Sequence, residues 1–491
     1  MPMRAAAIVA AAIAVVVAVV LLRGDQDPDA EHSLAVIEGA VAAAAGDGSL
    51  AWEASRRTEL EERAATGTSH VIYANSPEGV VATAERTAAW REDVERAARA
   101  HGIETDRLEA LVFLESAGRP QVMAGETPEA ASGLTQITPS AATELLDLRL
   151  ELDRSIELTR EIAKAERKDR TNLAGRLRSE RARIDERFDP VKALDSAARY
   201  LEIAEKRFGA GDLATVSYHM GIGNLESVIR AYAGGGGEGP VAETVADGEL
   251  SYAQLYFDSA PDHHPEAHEI LAGLGDDSAE YLWKILASER IMELWRADRE
   301  QLKRTDELAT AKATLEELYH PEEETVVFDE PGDVADATED GELLPLPEAG
   351  DARDAGWRPD RQIGELAPRL DGEPLLYRAL RPEALATLSY MGARVRELSG
   401  AERPLRVTSA VRDSAYQELL AAGNPEATDN YSLHTTGYSF DVLRDYENDE
   451  QAGALQFMLD RLQALAVIDY AVEPRAIHVT VSDLGAELVA P

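Results

Sequence analysis

No cysteine occurs in the 491 residues. Disulfides, thiolate metal sites and a lipid-modified cysteine anchor are therefore excluded, and any metal must be held by histidine and carboxylates. Aromatic residues are scarce at 5 %, and the 49 Lys and Arg are outnumbered by 91 Asp and Glu, for a formal net charge of -42. That imbalance argues against binding nucleic acid, whose backbone needs clustered cations, and predicts a soluble, self-repelling surface. Long apolar runs are missing too, with one exception at the amino terminus.

That exception, Ala5 to Leu22, is unbroken and just long enough to cross a bilayer core as a helix. Arg4 precedes it, while Asp25, Asp27, Asp29 and Glu31 follow. The positive-inside rule then leaves the amino terminus in the cytoplasm and exports the body. Residues 1–23 read as a signal anchor in the inner membrane, with a cleaved signal peptide as the alternative. Either way the body is periplasmic or extracellular, and the anchored form is a single-pass protein of the cell membrane.

The length predicts several domains. Residues 24–82 mix acidic stretches with Gly and Ala, carry one amphipathic segment around Leu34 to Ala45, and read as a tether. Helical periodicity begins at Thr83: Trp90, Val94, Ala97 and Ala98 share a face, and Gly102 has the place of a C-cap. Thr105 or Asp106 can cap the next helix, which carries Leu108, Leu111, Val112 and Leu114 up to Glu115 before Gly118 and Pro120 stop it. Residues 83–318 form this helical domain, with a charged helical hairpin inserted at 145–187. Residues 319–356, rich in Asp and Glu with little periodicity, read as an acidic disordered linker. Residues 357–491 change character again: Leu405 to Ala410 and Ile477 to Val481 have strand patterns, helices lie between them, and the class is α+β.

Within the helical domain the chemistry gathers on Val112-Phe113-Leu114-Glu115-Ser116, where one carboxylate ends an apolar run. Apolar surroundings penalise the charged form, raise the pKa and let the group stay protonated near neutrality as a general acid. Further on stand Gly133-Leu134-Thr135-Gln136-Ile137-Thr138-Pro139 and Tyr218-His219-Met220-Gly221-Ile222-Gly223. Together, and in this order, the three stretches resemble the motifs of the lytic transglycosylases of the SLT, goose-lysozyme-like class. Thr135 replaces the usual Met, and His219-Met220 replaces Asn-Ala. The resemblance implies a mainly α, lysozyme-like fold without cofactor. It also implies Glu115 as catalytic acid, Gln136 as a glycan-contacting amide and Tyr218 as a sugar-contacting phenol.

A second set of reactive residue types stands in Ser432-Leu433-His434-Thr435-Thr436-Gly437-Tyr438-Ser439-Phe440-Asp441, with His478 beyond. Two His and one Asp can make a three-ligand zinc site with a fourth position open for water. The stretch resembles the M15-like D-Ala-D-Ala zinc peptidases, and Ser409-Ala410-Val411-Arg412 is similar to that group's S-x-x-R element. The resemblance implies zinc on His434, Asp441 and His478, with Arg412 holding a substrate carboxylate. The usual base position is not matched, and Glu473, five residues before His478, is the best available base.

The combined reading is a multidomain cell-wall enzyme. Its first domain would cleave the β-1,4 bond between N-acetylmuramic acid and N-acetylglucosamine with a 1,6-anhydro product, and its second would act on stem peptides. Peptidoglycan glycan strands and stem peptides are then the partners. Lysozyme-type hydrolysis, or a non-catalytic wall-binding scaffold with two degenerate enzyme folds, are the alternatives.

Overall fold

The structure, a computed structural model, describes residues 28–45, 50–235, 239–348, 353–422 and 431–489. The run Ala5 to Leu22 lies outside the described residues, and among those described no helix is long and apolar enough to cross a membrane. The chain forms two compact units. One comprises Leu50–Pro321 with Gln456–Ala471; the other takes in residues 28–45, 322–455 and 472–489.

The first unit is helical. The helix Arg91–His101 buries Val94, Ala97 and Ala98 and closes on Gly102, which has φ 72. The next, Thr105–Ser116, buries Leu108, Leu111, Val112 and Phe113. Neither Thr105 nor Asp106 caps it, since its N-cap is Glu104, without a side-chain bond. Its end reverses through Ala117 and Gly118, at φ 53 and 71. A Cβ on Gly118 would approach the backbone of Arg86 and Thr87 to 2.7 Å, so this reversal, which sets the position of Glu115, requires glycine.

Helix Thr105–Ser116 packs against Tyr281–Ala297. Phe113 shares a core with Ile291, Met292, Trp295 and Leu302, and also with Ala65, Ile72, Tyr73, Val80 and Ala84. Ala65, Ile72, Tyr73 and Val80 come from the segment read as a tether, which folds into the helices Arg57–Gly67 and His70–Asn75 and the start of Val80–Ala88. Those helices are short and lean on alanine, so no periodicity announces them. Burial of Ile72 or Val80 still contributes about 1.5–3 kcal/mol each.

The charged segment holds two helices, Leu152–Glu166 and Thr171–Ile184, packed on each other with the turn at residues 167–170. Leu158, Ile162, Ala165 and Ala174 are buried along them, while Arg154 and Glu180 pair at 2.7 Å on the exposed side. Its last residues are not solvated: Asp185 and Arg187 are completely buried.

In the second unit, strand Trp357–Pro359 runs parallel to Leu405–Ser409, which pairs antiparallel with Ser439–Leu443, itself antiparallel to Ala476–Val481. The last register places Asp441 directly opposite His478. The long helix Pro382–Ser399 packs against the helix Pro28–Ala44, whose Val36, Ile37, Ala40, Ala43 and Ala44 are buried. The front of the expected tether therefore belongs to this unit.

Residues 322–348 of the expected acidic linker are also structured here. They contain the helix Pro331–Glu339 and strand Leu344–Pro345, which pairs with Ala379–Leu380. Phe328, Val334, Ala337 and Leu343 form a small core with Ala379 and Val411. Composition misleads because a few of the segment's apolar side chains, Phe328, Val334, Ala337 and Leu343, point inward while most of its carboxylates stay in water.

Candidate functional site

Glu115 stands in the last turn of Thr105–Ser116, partly exposed, and the hydroxyl of Tyr281 donates to its Oε1 across 2.7 Å. Burial pushes the carboxyl up to about 7; the Tyr281 bond acts against the rise, and the nearby Asp277 charge adds to it. Asp277 itself is held below its ordinary value, since the Lys284 ammonium outweighs its own burial. One carboxyl poised near neutrality beside an ionised one can give and take a proton.

Around Glu115 lies a group of phenols. Tyr218, on Gly211–Met220, is pushed well above its ordinary pKa by burial and by the Glu115 charge. Its hydroxyl donates to the Thr135 carbonyl at 2.7 Å, and its ring meets Tyr200 edge-on at 5.0 Å. His219 lies nearly parallel to Tyr281, with centroids 5.1 Å apart and planes at 18°, and its Nδ1 is 2.9 Å from Ser278 Oγ. The histidine that departs from the resembled motif thus backs the phenol that touches Glu115.

Gln136 occupies a left-handed conformation at φ 49, and its amide donates to the carbonyls of Gly133 at 2.8 Å and Val122 at 3.2 Å. Its NH2 group thus ties its own loop. Arg187 holds that loop from below. It makes a two-pronged pair with Asp185, at 2.9 and 2.8 Å, and donates to the carbonyls of Pro128, Ala130 and Ile137. The approach is so close that a Cβ on Gly133, at φ 85, would fall 1.8 Å from the Arg187 carbonyl oxygen.

Glu115 and Tyr218 are thus brought together with the loop that carries Gln136. Tyr281, Tyr200 and Arg187 were missed from sequence. Tyr281 sits 166 positions from its partner with no motif around it. Arg187 is hidden among the charges of the inserted hairpin.

In the other unit His434, Asp441 and His478 converge. His434 lies on a short 3-10 turn, Leu433–Thr436, closed by Gly437 at φ 84, and Asp441 and His478 face each other across the sheet. Asp441 Oδ1 is 3.2 Å from His434 Nε2 and 3.0 Å from His478 Nδ1. Adjacent ligands of a tetrahedral ion with ~2.0–2.1 Å bonds stand about 3.3 Å apart, so this donor set fits one such metal. His434 Nδ1 is 2.8 Å from the Ala410 carbonyl, which fixes the proton there and leaves Nε2 as the ligating nitrogen. Burial and the Arg412 charge lower the His434 pKa, and although burial alone would raise Asp441, the two histidines hold it well below its ordinary value.

Arg412 lies beside this cluster, donating to Gln417 Oε1 at 2.8 Å and Ser409 Oγ at 2.5 Å and standing 3.4 Å from Asp441 Oδ2. A cavity of about 140 Å³ opens next to it, lined by Ile363, Tyr377, Thr408 and Tyr416 among others. Glu473 is near enough for its charge to act on Arg412. The expected linker takes part as well, since the Phe328 N–H bonds the Thr435 carbonyl at 2.8 Å and so braces the His434 turn.

Residues 167–238 match the family model of the transglycosylase SLT domain, a stretch that includes Tyr218 and the turn after it but begins beyond Glu115 and Gln136. No curated protein matches the chain. The match, in the helical unit, supports a function of the lytic transglycosylase or lysozyme-like kind, acting on peptidoglycan.

Proposed function

We propose that the helical unit is a lytic transglycosylase that cleaves the β-1,4 bond between N-acetylmuramic acid and N-acetylglucosamine, with Glu115 as its single acid and base. The observation that carries this reading is the Glu115 carboxyl itself, raised to about 7 and bonded through Oε1 to Tyr281. Protonated, it gives its proton to the glycosidic oxygen as the C1–O4 bond breaks and the N-acetylglucosamine side leaves as an alcohol. As carboxylate, it then takes the proton of the muramyl 6-hydroxyl while O6 bonds to C1. The acid is regenerated, no water is consumed, and the product is a 1,6-anhydro sugar. A general acid and base of this kind contributes roughly 10²–10⁴-fold to the rate. Tyr218 and the Gln136 loop are assigned to the glycan. Mass spectrometry of digested sacculi tests the reading, since an anhydro end is lighter than a reducing end by one water.

Lysozyme-type hydrolysis is the second reading, and Asp277 favours it: its ionised carboxylate acts on Glu115 and could activate a water. Reducing ends in place of anhydro ends would decide for it.

For the other unit we infer a zinc-dependent action on stem peptides. What supports it is the convergence of His434, Asp441 and His478 beside Arg412 and a small cavity. Zinc bound there would polarise a peptide carbonyl and bring a bound water's pKa close to 7. Arg412 offers a guanidinium for a terminal carboxylate, and Glu473 is assigned as the base. Metal analysis of the full chain and of His434→Ala, followed by incubation with muropeptides, tests this. Zinc without cleavage would leave a binding module. The anchor reading of Ala5 to Leu22 completes the proposal, with both sites held outside the cytoplasmic membrane. Amino-terminal sequencing of membrane-extracted protein checks it, and a start beyond residue 22 would replace the anchor by a cleaved signal.

A further inference from the structure

The turn between the helices Tyr252–Phe257 and Pro265–Ala272 draws Asp258, His263 and His264 together. Ala260 and His263 exchange backbone hydrogen bonds of 2.7 and 3.1 Å, folding the loop back so that both imidazoles return to the carboxylate at the helix end. His263 Nδ1 stands 3.4 Å from Asp258 Oδ1 and 2.9 Å from the Asp258 carbonyl oxygen, a hydrogen bond that ion binding would replace, and His264 Nε2 stands 3.6 Å from Oδ2. Each oxygen of one carboxylate thus faces its own imidazole. The separations are again close to the ~3.3 Å between neighbouring ligands of a tetrahedral ion.

The groups behind these three are organised as well. The Tyr232 ring stacks on His264 with centroids 4.0 Å apart and planes at 20°. Its hydroxyl donates to Asp258 Oδ2 and accepts from Gln254 Nε2 at 3.0 Å. Partners of this kind fix the orientation of ligating carboxylates and imidazoles in metal sites. His264 is held in the left-handed region, at φ 49, a conformation that costs a non-glycine residue energy and persists where the surroundings impose it. His263 is well exposed, so an ion has a path in.

We propose that Asp258, His263 and His264 bind one divalent transition-metal ion of the zinc, cobalt or nickel kind. Two imidazoles with one carboxylate select such ions over calcium or magnesium, which prefer all-oxygen shells. The ion fastens the end of Tyr252–Phe257 to the start of Pro265–Ala272. Through Tyr232 it also reaches Ile222–Tyr232, the helix that follows the Tyr218 turn. Its role is to brace the helical unit, because an ion that binds only the folded chain stabilises it in proportion to ln(1 + [ion]/Kd). The site involves neither Glu115 nor the His434 cluster.

Calorimetric titration of the chelator-stripped full chain with zinc tests this in a His434→Ala background, which removes a ligand of the other cluster. One zinc per chain is expected, together with a zinc-dependent rise in Tm. Adding His263→Ala and His264→Ala should abolish both. The exposed single substitution His263→Ala should leave the far-ultraviolet circular dichroism unchanged and weaken zinc binding at least tenfold. Unchanged affinity in His263→Ala overturns the proposal, as does the absence of zinc binding in the His434→Ala chain. Loss of binding on His219→Ala instead would move the ion to His219, Asp276 and Asp277, which also stand close together, and would overturn it equally.

Discussion

The Tyr281 hydroxyl donates to Glu115 Oε1 across 2.7 Å, from the first turn of Tyr281–Ala297 to the last turn of Thr105–Ser116. Burial raises the carboxyl and this bond limits the rise, leaving it at about 7. An acid tuned this way is substantially populated in both protonation states near neutral pH, as a group that must both donate and accept a proton in one cycle requires. His219 stacks on the same phenol and keeps its ring in place.

Replacing Tyr281 by Phe removes the one named interaction that favours the Glu115 carboxylate. The carboxyl pKa should rise further, so the alkaline limb of the pH–activity profile should move to higher pH while the maximal rate falls. Turbidity loss of sacculi across a pH series measures both. An unmoved limb would mean that Glu115 is not the group titrating.

Glu115 also taxes the fold. Its pKa of about 7 lies above the ordinary 4.5, so folding favours the protonated form. The sign follows: its contribution is most favourable below pH 4.5 and is lost as pH rises through 7. Glu115→Gln keeps an acceptor for Tyr281 and removes the charge. The variant should therefore be more stable than the parent above pH 7, by up to about 3 kcal/mol, with the gap closing toward pH 4.5. Urea unfolding at two pH values reads it.

Charges that look alike in the hairpin sequence should behave differently. Asp185→Ala strands the buried Arg187 guanidinium and should destabilise the helical unit by roughly 3–5 kcal/mol. Arg154→Ala breaks only the exposed pair with Glu180 and should change stability by no more than about 1 kcal/mol. Paired thermal melts of the two variants make the comparison.

Arg412→Lys keeps the charge but loses the planar fork that reaches Ser409, Gln417 and Asp441. Zinc stoichiometry should be unchanged while release of the terminal residue from stem peptides falls at least tenfold. Equal cleavage by the variant would remove Arg412 from substrate recognition.

What sequence made legible was local. The helix ending at Glu115, the left-handed Gly102 and the strand that carries His478 announce themselves through periodicity and residue pattern, and His434 with Asp441 through their short spacing. What stayed hidden depends on distant partners. Tyr281 matters only because two helices far apart in sequence pack together, and Arg187 only because the loop from Pro128 to Ile137 closes over it. The stretch around Phe328 looks like a solvated linker by charge, yet its backbone bonds Thr435 beside His434. Composition averages over a segment, whereas burial there is decided by a few side chains.

The central claim is that Glu115 alone supplies the acid and the base of glycan cleavage. Mass spectrometry of the soluble products released from purified sacculi by the parent and by Glu115→Gln tests it most directly. The expected result is 1,6-anhydro-muramyl ends from the parent and at least a hundredfold less product from the variant. Reducing ends from the parent, or undiminished release by Glu115→Gln, would contradict it.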